Sequence, residues 1–368
     1  MLNAYRGVFS DRYPVAPEFW YYYPAKVLGV DMIQFQREIP LWKALQTTFK
    51  KYQTEGWGIA WATSENSRVS SKSSFEKTSD TQYRERVVTR LGGREFTSST
   101  IFDIHEPSWV VEYPVKNEED IAIHLDAALN PDITLDYTQA HQALDTVGED
   151  YLLEFCLGGQ FFDTVAGMMG CEKALYYFMS EDPAILERYQ KRYIEFQREL
   201  TRRVCRETRF QSFFIGCCYS CPSLIGPNLW RKWDKPYIQA VAEEVHRQGK
   251  LVHLHFHGLC KETLADLAEL GVDCICPFER PPGGDINGLD DLRKVRTMLG
   301  NTVTMNGNVH TVETLIRGTP EKVRSEVREI KLAYAGCPRL IIGTGDQVGK
   351  ETPEENILAM IDEAKKTI

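Results

Sequence analysis

The chain has 368 residues, 43% of them hydrophobic, with 43 Lys and Arg against 52 Asp and Glu for a net charge of −9. This is enough apolar material for a large core, as one barrel-sized domain or two smaller ones, while the acidic balance argues against nucleic acid or an anionic membrane as the main partner. Ten scattered cysteines do not make a disulfide framework in a chain of this size, and a start without an apolar signal core, with no later run long enough to span a membrane, reads as a cytosolic protein.

In chain order, Asp11 to Val15 leads into an apolar strand expected over Val15 to Phe19, and Trp57-Gly58-Ile59-Ala60-Trp61 reads as a second strand, counted as Ile59 to Ala62. From residue 64 to residue 115 the composition turns to Ser, Thr, Arg and Glu alternating with apolar residues, with Gly92-Gly93 placed as a turn would be, so β-hairpins are expected as an insertion there. After a helix expected over Glu118 to Leu129, the chain settles into a beat of short apolar strand, loop and amphipathic helix. Leu152 to Leu157 is followed by helices through Arg206, Phe213 to Cys218 by a helical stretch from Trp230 to Gln248, and Leu251 to His257 by Lys261 to Leu270. Cys274 to Glu279, Thr302 to Asn308 and Arg339 to Gly343 complete the series. About eight such units predict an α/β fold, a (β/α)₈ TIM barrel formed by residues 1–368 as one domain, with the 64–115 hairpins inserted near its N-terminus. No glycine-rich dinucleotide fingerprint follows any of the strands.

The stretch Lys250-Leu251-Val252-His253-Leu254-His255-Phe256-His257-Gly258 combines strand alternation with ionisable chemistry. On a strand His253, His255 and His257 share one face, and Val252, Leu254 and Phe256 face the opposite layer. Neutral imidazoles roughly 6 to 7 Å apart at Cα can converge on one ion. His255 and His257, beside Gly258, are the metal-ligand candidates, and His253 reads as a hydrogen-bonded core histidine. A barrel carries its site at the C-terminal ends of its strands. The candidates are therefore Glu154, Cys217 and Cys218 with Cys221 just beyond, His255 and His257, Glu279, Asn308 with His310, and Asp346 after Gly343-Thr344-Gly345.

Asp11-Arg12-Tyr13-Pro14-Val15, the Gly307-Asn308 strand end, Gly318-Thr319-Pro320-Glu321-Lys322-Val323, and Gly345 through Thr352-Pro353-Glu354-Glu355-Asn356 together resemble the uroporphyrinogen decarboxylase superfamily. The resemblance implies a (β/α)₈ barrel and one of two chemistries: cofactor-free decarboxylation of uroporphyrinogen, or zinc-dependent methyl transfer to or from corrinoid proteins. The decarboxylase branch holds its polycarboxylate substrate with an Arg-Gln-x-Gly-Arg motif, whereas Asp11 to Phe19 contains a single arginine. The methyltransferase branch carries His-x-Cys-Gly on the strand matching Leu251 to Gly258 and a second Cys before the Thr-Pro-x-x-Asn helix start. Its His falls on His255, its first Cys on His257 and its second Cys on Asp346.

The resemblance thus implies a zinc or other divalent metal on His255, His257 and Asp346, with both thiolates replaced by residue types that still bind metal. One carboxylate and two imidazoles leave such an ion more Lewis acidic than two thiolates would. A thiolate could be restored by Cys217, Cys218 or Cys221. Glu279 is either a further ligand or the acid that protonates the leaving heteroatom, against a plain ion pair with Arg280; Asn308 and His310 complete the catalytic candidates. The expected function is a metal-dependent methyltransferase that moves a methyl group from a small methoxylated or methylated substrate to a separate corrinoid protein, since the chain has no corrinoid-binding Asp-x-His-x-x-Gly motif. A decarboxylase-like carboxy-lyase and a non-catalytic metal- or ligand-binding barrel are the alternatives. Neither nucleic acid nor membrane is an expected partner, and a homodimer is left open.

Overall fold

The computed structural model describes residues 1–179 and 184–367. Residues 180–183, which fall inside the stretch expected as helices through Arg206, and residue 368 lie outside the described residues. Among the described residues fourteen strands follow in chain order: β1 (Val15–Ala16), β2 (Trp57–Ala60), β3 (Thr63–Glu65), β4 (Ser70–Lys77), β5 (Gln82–Leu91), β6 (Arg94–Asp103), β7 (Trp109–Glu112), β8 (Thr134–Asp136), β9 (Leu152–Cys156), β10 (Ser212–Ile215), β11 (Leu251–Phe256), β12 (Cys274–Pro277), β13 (Thr304–Val309) and β14 (Leu340–Thr344).

Eight of them form one all-parallel sheet in the order β1-β14-β13-β12-β11-β10-β9-β2, so the last strand pairs with the first and the sheet curls into a barrel. These are the strands the sequence beat predicts, with shifted ends. Two strands end three residues early: β10, expected to run to Cys218, ends at Ile215, and β1, expected to run to Phe19, ends at Ala16. Pro17 has no N–H to give a ladder, and the Glu18 N–H donates to the Thr344 hydroxyl at 3.0 Å instead of to a strand. The chain therefore crosses the barrel mouth at Glu18 and enters the helix Tyr22–Leu28. The helical stretch expected from Trp230 to Gln248 is two helices, Pro222–Trp233 and Lys235–Arg247, the second with Pro236 in its first turn.

The alternation on β11 fixes two layers. Val252, Leu254 and Phe256 are buried outward in the main core, where Phe256 meets Trp230 with ring centroids 5.2 Å apart; each such side chain contributes roughly 1.5–3 kcal/mol by leaving water. A second apolar cluster, with Ala16, Trp57, Phe214, Cys274, Cys276 and Ile341, collects side chains that alternate with these and lines the barrel interior. The N-terminal helix Leu2–Tyr5 belongs to the same cluster and is tied on by the Thr304 hydroxyl, which donates to the Ala4 carbonyl at 2.7 Å.

Within the expected hairpin stretch, β4 to β7 form an antiparallel meander, while β3 pairs with β8, which lies beyond that stretch. Gly92 and Gly93 make the β5–β6 turn with φ of 55° and 75°, flanked by the pair Leu91 and Arg94, as a two-residue hairpin with positive φ at both central positions requires. All ten cysteines are free thiols. Among the described residues, no helix is long and apolar enough to cross a membrane.

Candidate metal centre

Parallel register decides what surrounds the histidines. In the β11–β12 ladder His253 stands opposite Cys274 and His255 opposite Cys276, so imidazoles and thiols share the barrel interior. Deepest is His253, fully buried, with Nδ1 2.8 Å from Glu154 Oε2 and Nε2 3.1 Å from Cys276 Sγ. Glu154 also accepts from the Ser212 hydroxyl at 2.6 Å and the Tyr5 hydroxyl at 3.4 Å. The expected core histidine is thus the middle of a buried polar chain, and Glu154, a strand-end candidate from sequence, is its carboxylate.

One step toward the mouth, His255 Nδ1 lies 3.0 Å from the same Cys276 sulfur. Burial, followed by the neighbouring His257 and His253, pushes the His255 pKa well below the ordinary imidazole value, so the ring is neutral and able to bind a cation. One ligand atom each from Glu18, His255 and Cys276 lie within 4.8 Å of one another. Burial also drives the Glu18 carboxyl up to about 8, helped by Asp346 and Glu279 and opposed by His257. Cys276 is raised well above an ordinary thiol, first by burial and then by the charge of Glu18.

At the mouth, His257, Glu279 and Asp346 make a second group whose ligand atoms are likewise within 4.8 Å of one another. His257 Nδ1 is 2.8 Å from Glu279 Oε1, and the Gly258 N–H donates to Glu279 Oε2 at 2.6 Å. Burial alone would lower the His257 pKa, but the Glu279 hydrogen bond and the charges of Glu279, Asp346 and Glu18 outweigh it and carry it to about 9. The Asp346 carboxyl is raised by burial against the pull of His257. Gly258 has φ +80°, and a Cβ there would sit 2.1 Å from Ser223 Oγ, so glycine is needed for the turn that delivers its N–H to Glu279.

His255 and His257 have ring centroids 4.2 Å apart at 88°, and each joins a different group. The set expected from sequence, His255, His257 and Asp346, is therefore divided: Asp346 stands with His257, and His255 stands with Glu18 and Cys276. Sequence reasoning missed Glu18 and Cys276. The available signal for Cys276 was its place beside Cys274 on a strand next to the histidine strand.

None of Cys217, Cys218 and Cys221 joins either group among the described residues. The Cys217 thiol donates to the Ser220 carbonyl at 2.9 Å, and the loop is held by Asp163, which accepts from the N–H groups of Cys218, Tyr219 and Ser220 at 3.2, 2.6 and 2.8 Å. Arg280 does not pair with Glu279. Its guanidinium reaches Glu326 at 3.3 Å, Glu329 at 3.1 Å and the Asn308 carbonyl at 3.0 Å. Asn308 donates its amide to the carbonyls of Phe278 at 2.9 Å and Ile286 at 3.4 Å, holding the loop after β12. His310 caps the helical turn Thr311–Ile316: Nδ1 accepts from the Val312 and Glu313 N–H groups, both at 3.2 Å, while Nε2 donates to the Pro281 carbonyl at 2.8 Å. Both ring nitrogens of His310 are thereby engaged with backbone.

A family model described as uroporphyrinogen decarboxylase (URO-D) matches residues 162–367, more than half of the chain and every group above except Tyr5, Glu18 and Glu154. The chain belongs to this family. Among the curated members it resembles is a methylated-thiol–coenzyme M methyltransferase of Methanosarcina mazei, 27% identical over 154 residues, which are 42% of this chain and 37% of that protein. A methylcobamide:CoM methyltransferase of the same organism is 28% identical over 144 residues, 39% of this chain and 38% of the relative. A uroporphyrinogen decarboxylase of Azoarcus sp. is 30% identical over 142 residues, 36% of this chain and 35% of the relative. The chain thus spans little more than a third of the length of each. A solved methyltransferase from Methanosarcina mazei shares the barrel, with a TM-score of 0.64 at 16% identity over 99% of this chain and 96% of the other.

Proposed function

We propose that this member of the uroporphyrinogen decarboxylase family is a metal-dependent methyltransferase that takes the methyl group of a small methylated or methoxylated substrate to a corrinoid carried on a separate protein. The observation that carries this reading is the convergence of His257, Glu279 and Asp346 at the strand ends, with ligand atoms within 4.8 Å of one another. The donor set suits a divalent cation. Glu279 and Asp346 bring two carboxylates to a site where the nearby compensating charge is a proton on His257, while Glu18 close by keeps its own proton, and a zinc-like ion bound by one imidazole and two carboxylates would replace the His257 proton with more charge. Bound there, the ion supplies Lewis acidity toward the donor's heteroatom. His257 and Asp346 hold it, and Glu279, fixed by the Gly258 N–H, orients His257 and offers its remaining lone pairs. With both oxygens accepting hydrogen bonds, Glu279 serves as a ligand and not as the general acid. Trp57 and Phe214, with ring centroids 6.2 and 5.9 Å from His255, wall the interior side against water.

The decarboxylase alternative has less support. A polycarboxylate substrate needs cations, but Arg12, the one arginine of the N-terminal motif, is bound to Glu55 at 2.5 Å, and Arg280 is taken by Glu326 and Glu329. The test is methylation of reduced cobalamin, followed by its absorbance, with zinc-loaded protein and a panel of methylated amines, methanol and methoxylated aromatics. Formation of methylcobalamin that stops when zinc is chelated is the expected result. Conversion of uroporphyrinogen to coproporphyrinogen, with no methyl transfer from any donor, would overturn it.

A further inference from the structure

The group formed by Glu18, His255 and Cys276 is not used by the first cation. It offers one carboxylate oxygen, one imidazole nitrogen and one sulfur, a donor set that suits zinc or another borderline divalent ion and disfavours magnesium or calcium. Glu18 is 7% exposed and Cys276 1% exposed, so the donors are fixed within the barrel and not drawn from a solvated rim. His255 turns nearly perpendicular to His257 and joins Cys276 at 3.0 Å, while His257 joins Glu279 at 2.8 Å.

The surroundings of Cys276 also solve a problem that a buried thiol ligand poses. A cation binds the thiolate, so the thiol proton must leave. Cys276 Sγ has a second imidazole, His253 Nε2, at 3.1 Å, and His253 Nδ1 is backed by Glu154 at 2.8 Å. The S–H bond breaks as the S–metal bond forms, the proton passes to His253 Nε2, and the Glu154 carboxylate balances the resulting imidazolium; no electrons change owner. An outer carboxylate–imidazole pair of this kind commonly supports a metal ligand.

We infer that Glu18, His255 and Cys276 form a second cation seat, for zinc or a similar borderline divalent ion, directly beside the seat of His257, Glu279 and Asp346, so that the barrel mouth holds a two-cation centre. This rests on the first seat binding a divalent ion. The second seat supplies the thiolate that the sequence reading sought among Cys217, Cys218 and Cys221. A two-cation centre can hold both the attacked and the departing atom of a displacement.

The test is cobalt(II) titration of the chelated full chain carrying Cys218→Ser, which removes the exposed thiol. The expected result is about two equivalents of cobalt with a thiolate-to-cobalt charge-transfer band in the near ultraviolet. Cys276→Ser should lose the band and one equivalent, Glu18→Gln should lose one equivalent, and His257→Ala should lose the other equivalent and keep the band. Thermal unfolding in chelator identifies variants that fold, and if Cys276→Ser does not, Glu18→Gln decides. One equivalent without the band overturns the second seat and leaves the first standing. No cobalt binding overturns both, and an unchanged band and stoichiometry in Cys276→Ser overturns the second seat alone.

Discussion

His255 stands opposite Cys276 in the parallel ladder of β11 and β12, and its Nδ1 lies 3.0 Å from the cysteine sulfur. That pairing draws His255 away from the ligand set expected from linear motif matching and attaches it to a thiol and to Glu18. His257, one residue beyond the strand, is left to Glu279 and Asp346.

Removing one ligand from the mouth should remove one metal ion while the fold survives. His257→Ala and Asp346→Asn are each expected to weaken zinc binding by at least about 10-fold to 100-fold, the range typical of losing a metal-site partner. Elemental analysis after dialysis against zinc-buffered solutions reads this directly. Wild-type zinc content in both variants would eliminate the mouth as a metal seat.

Glu279→Gln keeps the shape of the side chain and removes its charge. As a ligand, Glu279 should take the mouth metal with it when changed, and methyl transfer should fall by the same proportion. If metal content stays intact while turnover falls by about 10² to 10⁴, the range for general acid catalysis, the acid role is restored and the ligand role is wrong.

The pH dependence of the metal-free protein follows from two raised groups. His257 holds its proton to about 9 against an ordinary 6.5, and Glu18 to about 8 against 4.5. The folded state binds both protons more tightly than the unfolded chain, so this stability is complete below the unfolded values and is lost as pH rises through the folded ones. In chelator, Tm should therefore fall from about pH 6.5 to about pH 9, while added zinc, competing with fewer protons, should raise Tm more at the alkaline end. A chelated Tm that is flat or rising across that window contradicts the assignment.

The buried pair under the thiol also carries stability. Glu154 and His253 are both fully buried and 2.8 Å apart, and breaking such a pair by removing one partner costs about 3–5 kcal/mol. His253→Ala should show that loss in urea unfolding, and Glu154→Gln, which keeps a hydrogen-bonding group, should lose less. Equal and small losses would mean that the pair is not coupled.

Gly258→Ala tests the turn that fixes Glu279. The left-handed conformation costs a non-glycine residue about 1–3 kcal/mol, and the new methyl would meet Ser223 Oγ at 2.1 Å. Stability should fall by at least that amount, and zinc affinity should fall with it because the N–H that holds Glu279 moves. Unchanged affinity in the folded variant would show that Glu279 needs no such anchor.

The barrel was legible in the sequence because its signal is local. Each strand is a short apolar run with outward residues such as Val252, Leu254 and Phe256 repeating at period two, and each helix repeats near 3.6, so the beat alone specifies a parallel sheet closed by helices. The inward face of the histidine strand was legible for the same reason, as was the Gly92-Gly93 turn. What only the tertiary structure decided is who meets whom across strands. Cys276 reaches His255 through the stagger of two parallel strands, and Glu18 reaches the mouth because Pro17 ends β1 and the Thr344 hydroxyl captures the next N–H. Arg280, adjacent to Glu279 in sequence, points to the far side toward Glu326 and Glu329. Register and side-chain direction are settled by packing between segments far apart in the chain, and no periodicity within one segment encodes them.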